Sequence, residues 1–147
     1  MDKMKKIYLA ASLSQDKRET TEQIRQILLD KGFDVYNPVD NFIHNAWDYP
    51  NHEWGLMVFT NDLTAINDSD FVVAVSYGRI DDTGGTCWEI GYSFGIGKKV
   101  IVVDMANNTP ISLMIANGSY SRVKGVEGIK EYDFDTLPKT RTNTEQK

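Results

Sequence analysis

The chain has 147 residues, of which 41% are hydrophobic and 25% charged, as expected for one globular domain with a buried core. Its net charge of -5 and lack of a basic cluster disfavour a nucleic-acid partner. The single cysteine, Cys87, excludes an intramolecular disulfide and most cysteine zinc sites. It fits a reducing cytoplasm, and with no membrane-length apolar stretch and no signal-peptide pattern we expect a cytoplasmic protein without a membrane partner.

Short apolar runs alternate with segments of helical spacing along the whole chain. The predicted strands are 7–11, 33–36, 71–75, 100–103 and 120–124. The predicted helices are 17–31, 56–67, one that begins shortly before Glu89 and ends near 97, 111–116 and 126–132. This alternation predicts an α/β domain over 1–138, followed by a polar, flexible tail over 139–147. We expect a doubly wound, flavodoxin-like parallel sheet of five strands in the order 2-1-3-4-5, with helices on both faces.

The segment 81–93 is the centre of the functional hypothesis. It contains an acidic, glycine-rich turn between a buried strand and a helix, which is where open α/β sheets bind ligands. Glu89 is expected in the first helical turn, and the paired glycines before it would let a ligand approach the backbone. The alternative is structural, because Thr86 and Glu89 have the spacing of a capping box.

Residues 38–55 form the longest predicted irregular stretch and contain both histidines, His44 and His52. Its aromatic content argues against disorder, so we interpret it as the lid or wall of a pocket, the alternative being a surface loop anchored by tryptophans. The histidines have no companions at metal-ligand spacing, so no metal site is expected. In the following helix Asp62 lies at the edge of the apolar stripe, which favours a functional role.

The chain lacks both a GxGxxG segment after its first strand and a GxxxxGK[ST] segment. Dinucleotide and nucleoside triphosphate binding are therefore disfavoured.

Several short blocks resemble, in the same order, those of the nucleoside 2-deoxyribosyltransferase family. They are Ile-Tyr-Leu-Ala at 7–10, Asn-Asp-Leu-Thr at 61–64, Gly-Thr-Cys-Trp-Glu-Ile-Gly-Tyr at 85–92, Pro-Ile-Ser-Leu-Met at 110–114 and Tyr-Asp-Phe at 132–134. The resemblance extends over about 5–138, and its Gly-Thr-x-x-Glu-Ile-Gly-Tyr block is the most specific part.

This resemblance implies base exchange on 2′-deoxynucleosides without a cofactor, with nucleosides and free nucleobases as small-molecule partners and a role in nucleotide salvage. It implies a covalent glycosyl-glutamate intermediate and net retention, with Glu89 as nucleophile, Tyr8 orienting it and Asp62 assisting proton transfer to the base. It also implies a homo-oligomer, from a dimer to a hexamer, with shared active sites. The implied substrate-binding residues are Ser12, Asp40, Asp82, Thr83, Gly85 and, from a neighbouring subunit, Ser112.

The chain departs from the family pattern at the expected 5′ end of the substrate. Ser112 replaces a typical asparagine, Thr83 stands where an aspartate is expected with Asp82 one step further away, and the tail lacks a terminal tyrosine. Ser12 has a spacing also found in deoxynucleoside 5′-monophosphate N-glycosidases, which makes a hydrolase the alternative function. A non-catalytic nucleotide-sensing module is a third reading, disfavoured by the intact pair of Tyr8 and Glu89.

Overall fold

Strands and helices alternate from one end of the chain to the other. The computed structural model describes residues 3–40 and 46–142, within which five strands and five α-helices follow one another. The strands are β1 Lys6–Ala10, β2 Asp34–Tyr36, β3 Phe71–Ser76, β4 Lys99–Asp104 and β5 Ser121–Lys124. The helices are α1 Arg18–Asp30, α2 Asn51–Asp68, α3 Gly84–Gly95, α4 Leu113–Gly118 and α5 Gly125–Glu131. Short 3-10 turns occupy Gln15–Lys17, Pro38–Asp40 and Ala46–Asp48.

The strands form one parallel sheet in the order β2-β1-β3-β4-β5, which confirms the predicted fold. Every residue of β3 is buried, as its uninterrupted apolar sequence predicts for a central parallel strand. Tyr8 of β1 lies in register with Tyr36 of β2 on one side and with Val72 of β3 on the other. Residues at the carboxyl ends of β1, β2 and β3 are therefore brought to one edge of the sheet.

Helices cover both faces of this sheet because alternate strand residues point to opposite sides. Ile7 and Leu9 pack with side chains of α1 and α5 in one cluster. Tyr8 and Ala10 pack with side chains of α2, α3 and α4 in the other. This alternation places the Tyr8 side chain on the face that carries α3, where Glu89 lies.

The described parts of the stretch 38–55, residues 38–40 and 46–55, are more regular than predicted. Helix α2 begins at Asn51, and short 3-10 turns occupy Pro38–Asp40 and Ala46–Asp48. The early start was missed because the first turn of α2, 51–55, is polar and aromatic and carries no apolar stripe. Trp47 is 88% exposed and so does not anchor this stretch, while the predictions for His44 fall on 41–45, outside the described residues.

In the described part of the chain, no helix combines the length and apolar character needed to cross a bilayer.

Candidate active site

Helix α3 begins directly after the acidic turn that follows β3. Thr83 is its N-cap, and the Thr83 hydroxyl accepts a hydrogen bond from the Thr86 amide at 3.3 Å. The alternative interpretation, a Thr86–Glu89 capping box, is therefore wrong, since Thr83 caps the helix and Gly84 is its first residue. Glu89 is the sixth residue of α3, in its second turn rather than its first, and its side chain is available for another purpose.

That side chain accepts a hydrogen bond from Tyr8. The phenolic hydroxyl of the fully buried Tyr8 donates to Glu89 Oε2, across 81 positions of sequence. A residue of β1 thus holds the Glu89 carboxylate of α3 in position. The arrangement joins the two residues that the sequence singled out as nucleophile and orienting group.

Burial makes Glu89 a carboxyl group of unusual proton affinity. Desolvation raises its pKa from 4.5 to about 7, the nearby charge of Asp62 acts in the same direction, and the hydrogen bond from Tyr8 opposes both. Burial and the charge of Glu89 raise the pKa of Tyr8, so its hydroxyl stays protonated and remains a donor. A carboxyl group with a pKa near neutral pH, next to a fixed hydrogen-bond donor, is typical of a reactive site.

A second carboxylate with its own phenol lies beside this pair. Tyr36 Oη donates to Asp62 Oδ1 at 3.0 Å. The rings of Tyr36 and Tyr8 stack, with centroids 5.6 Å apart and planes inclined by 25°. Sequence analysis missed Tyr36, because an aromatic residue in a short strand indicates a buried face but not its cross-strand neighbour. Once the strand order is known, the pairing of β2 with β1 places Tyr36 beside Tyr8, and this pairing could have pointed to Tyr36.

Glu89 and Asp62 both line a cavity of about 680 Å³ on the α2–α3 face. Much of its wall is apolar and comes from three segments, through Leu13, Val58, Phe59, Leu63, Ile66 and Trp88. Pro38 and Gly55 also contribute, so both ends of the predicted lid segment reach this wall. A cavity of this size, with apolar walls and two carboxylates, fits a small aromatic ligand that carries a polar group.

Three of the predicted substrate-binding residues, Ser12, Thr83 and Gly85, line the same cavity. Gly84 and Gly85 are the first two residues of α3, and neither has a positive φ. A methyl group built on either would meet no atom of the described chain within 4 Å. The backbone conformation therefore does not require glycine at either position. At Gly85 the absence of a side chain leaves room in the cavity.

The structure does not bring Asp82, Asp40 or Ser112 to this cavity, since none of them belongs to its described lining. Asp82 accepts hydrogen bonds from the Ser76 hydroxyl at 2.5 Å and the Tyr77 amide at 2.6 Å, and burial raises its pKa. Asp40 forms a two-pronged ion pair with Arg25. Ser112 caps α4 by accepting from the Ile115 amide, and its reach into a neighbour's site stays a prediction.

Over residues 3–40 and 46–142, no three His, Cys, Asp or Glu side chains converge in a way that could hold a metal ion.

Comparison with known proteins yields one family and two informative structures. The family model described as nucleoside 2-deoxyribosyltransferase matches residues 7–134. A 2-deoxyribosyltransferase from Bacillus psychrosaccharolyticus is 31% identical with a TM-score of 0.83, over 94% of this chain and 99% of its own. A CMP N-glycosidase from Clostridium botulinum is 20% identical with a TM-score of 0.59, over 86% of this chain and 95% of its own, a likeness in fold alone. Among curated protein sequences, no significant match is found.

Proposed function

This chain belongs to the nucleoside 2-deoxyribosyltransferase family, and we propose that it exchanges the base of a 2′-deoxynucleoside through a sugar bound covalently to Glu89. It is a nucleoside deoxyribosyltransferase. The observation that carries the mechanism is the hydrogen bond from Tyr8 to Glu89 at the wall of an apolar cavity.

Glu89 attacks the anomeric carbon from the face opposite the base, and the bond from that carbon to the base nitrogen breaks. The transition state resembles an oxocarbenium ion, which a carboxylate below the ring stabilises. Asp62 delivers a proton to the departing nitrogen, so the base leaves neutral. A second base then attacks the glycosyl-Glu89 ester from the opposite face and releases the carboxylate, while Asp62 takes up the proton that the attacking nitrogen loses. The two inversions give net retention.

The apolar walls favour transfer over hydrolysis. Leu13, Phe59 and Trp88 line the cavity together with the two carboxylates, and such side chains offer few partners that would order an attacking water. A flat base gains free energy by packing against such side chains. The ester therefore persists until an acceptor base arrives.

Hydrolysis of a deoxynucleoside 5′-monophosphate is the second candidate, favoured by the hydroxyl groups of Ser12, Ser14 and Thr83 at the cavity. Against it, the described lining contains neither lysine nor arginine. The titratable side chains in that lining are the carboxyl groups of Asp62 and Glu89. A phosphate about 4 Å from a carboxylate meets repulsion of about 1 kcal/mol even in a water-like dielectric, and more when partly buried.

Incubation of the protein with deoxyinosine or its 5′-monophosphate, each with and without free adenine, tests the proposal. We expect deoxyadenosine to form from deoxyinosine and adenine. The kcat/KM for deoxyinosine should be higher than that for its 5′-monophosphate. When adenine is omitted, hypoxanthine should be released only slowly. A wild-type preference for the monophosphate, with water as acceptor, would sink the transferase mechanism.

A further inference from the structure

We propose that Tyr36 is a positioning residue that fixes the Asp62 carboxylate for proton transfer to and from the base. The inference rests on the proposed function of this cavity and adds a residue to it. Tyr36 is not among the described residues that line the cavity, so we assign it a role that acts through Asp62.

The contact joins two elements that meet only in the folded protein. Tyr36 ends β2, Asp62 lies in the middle of α2, and the phenol donates to Asp62 Oδ1 at 3.0 Å. Asp62 is partly buried and lines the cavity, whereas Tyr36 is not part of the described lining. The hydroxyl therefore contacts the Asp62 carboxylate from a residue outside the described lining of the cavity.

The phenol that supports Asp62 is itself held in place by the sheet. Its ring stacks on the ring of Tyr8, which lies in register on the adjacent strand. The next residue, Asn37, is fully buried and donates from its side-chain amide to the Leu9 carbonyl at 2.9 Å. The end of β2 is thus attached to β1 at two consecutive residues, so the donor cannot move without disturbing the sheet.

A fixed donor on one carboxylate oxygen restricts rotation of the group about its Cβ–Cγ bond. The orientation of the Asp62 carboxylate toward the base is then set before substrate binds, which is how preorganised sites lower a barrier. Burial and the charge of Asp62 raise the pKa of Tyr36, so the hydroxyl stays protonated and remains a donor during the reaction. Each carboxylate of the site has its own phenol, Tyr8 for Glu89 and Tyr36 for Asp62.

The test is a double-mutant cycle on base exchange between deoxyinosine and adenine. Tyr36→Phe keeps the ring and its stack on Tyr8 and removes only the donated hydrogen bond. We expect kcat to fall about tenfold or more, as for loss of one hydrogen bond to a charged group, while KM for deoxyinosine changes by less than about twofold. In an Asp62→Asn background the same substitution should cause no further loss, because its effect passes through the carboxylate.

Tyr132→Phe is the matched control. Tyr132 is buried, its hydroxyl donates to the Pro138 carbonyl at 2.8 Å, and it packs in the cluster on the other face of the sheet. This control should keep wild-type kcat even if it lowers Tm.

The outcomes separate the inference from the function on which it rests. A wild-type protein without base exchange would refute the proposed function and this inference with it. An active wild type whose Tyr36→Phe variant keeps full kcat overturns the inference alone. A loss of kcat that is equally large in the Asp62→Asn background also overturns the inference. A Tyr36→Phe protein that fails to fold overturns it too, since the hydroxyl would then be needed for the structure.

Discussion

At the level of single residues, Glu89 illustrates a conflict between reactivity and stability. Folding buries its carboxyl group and raises the pKa from 4.5 to about 7. A group whose pKa is higher in the folded state holds its proton more tightly there than in the unfolded state. Its contribution to the free energy of unfolding is therefore largest below pH 4.5 and falls as the pH rises toward 7. Above pH 7 the protein keeps an ionised nucleophile in a site that disfavours ionisation.

Glu89→Gln should abolish base exchange and, at the same time, stabilise the protein at alkaline pH. The amide keeps the size of the side chain and can still accept the hydrogen bond from Tyr8, but it carries no charge to desolvate. A rise in pKa from 4.5 to about 7 corresponds to at most about 3 kcal/mol. We expect the difference in unfolding free energy, variant minus wild type, to grow between pH 5 and pH 8 in denaturant titrations.

The exposed Glu127, changed to Gln, is the matched control for loss of one carboxylate. A stability difference between Glu89→Gln and wild type that is the same at pH 5 and pH 8 would contradict this account. Substantial base exchange by the folded variant would exclude Glu89 as nucleophile.

Residues of the site differ in how far the sequence could predict them. Glu89, Tyr8 and Asp62 stand in recognisable blocks, and the structure places them together. Tyr36 could not be predicted, because its role depends on the pairing of β2 with β1 and on the approach of α2. The hydrogen bonds of Asp82 to the Ser76 hydroxyl and the Tyr77 amide were also not predicted, because they depend on how the turn after β3 folds back on the strand end.

At the level of elements, the first turn of α3 contains two glycines, which lower the stability of the helix but leave room for a ligand in the cavity. Glycine is a poor helix former, yet Gly84 and Gly85 occupy the first two positions without a positive φ. Alanine would fit the backbone at both positions. Only Gly85 lies in the described lining of the cavity, which makes the two glycines a natural pair for comparison.

We expect Gly85→Ala to lower kcat/KM for deoxynucleosides by about tenfold while slightly raising Tm. The methyl group would enter the space that the substrate needs, whereas the gain in helix propensity is about 0.5–1 kcal/mol. Gly84→Ala should bring the same stabilisation with kcat/KM unchanged. Equal activity of the two variants in steady-state assays would mean that the side of the cavity near residue 85 does not contact substrate.

Among the elements, strands were the more predictable. The buried runs of β3 and β4 have an apolar sequence that few other structures accommodate. Helix α2 was predicted too short, because its first turn carries Trp54 and polar residues that do not form a stripe. The start of α3 was misplaced because two threonines, Thr83 and Thr86, could each cap a helix, and only the backbone path decides between them.

At the level of the whole molecule, several large apolar side chains remain exposed on the α2–α3–α4 side. Phe94 is 59% exposed, and Leu113 and Met114, directly after Ser112, are 58% and 84% exposed. Phe59 and Trp88 form an edge contact at the mouth of the cavity, with ring centroids 5.4 Å apart. Large apolar side chains exposed in this number are typical of surfaces that bind another protein, and they support the homo-oligomer that the family resemblance implies.

We predict that sedimentation at assay concentration will detect at least a dimer. Met114→Glu should shift the protein toward monomer and reduce base exchange, because it places a charge beside Ser112 on the proposed contact surface. Met4→Glu, at an exposed methionine near the start of β1, is the control and should change neither property. A fully active wild-type monomer would refute the shared-site proposal.

The hydrogen bond between Tyr8 and Glu89 also has a consequence for how the chain acquires its activity. The two residues are 81 positions apart, and their contact requires β1 to pair with β3, the strand that precedes α3. Local segments such as α3 and the turn before it can form early, but pairing of such distant strands closes a long loop and is slow. A partly folded chain can therefore contain most of its helices and have no assembled nucleophile. Catalysis therefore requires that β1 has joined β3, and we expect turnover to recover later than helix content when the unfolded chain is refolded.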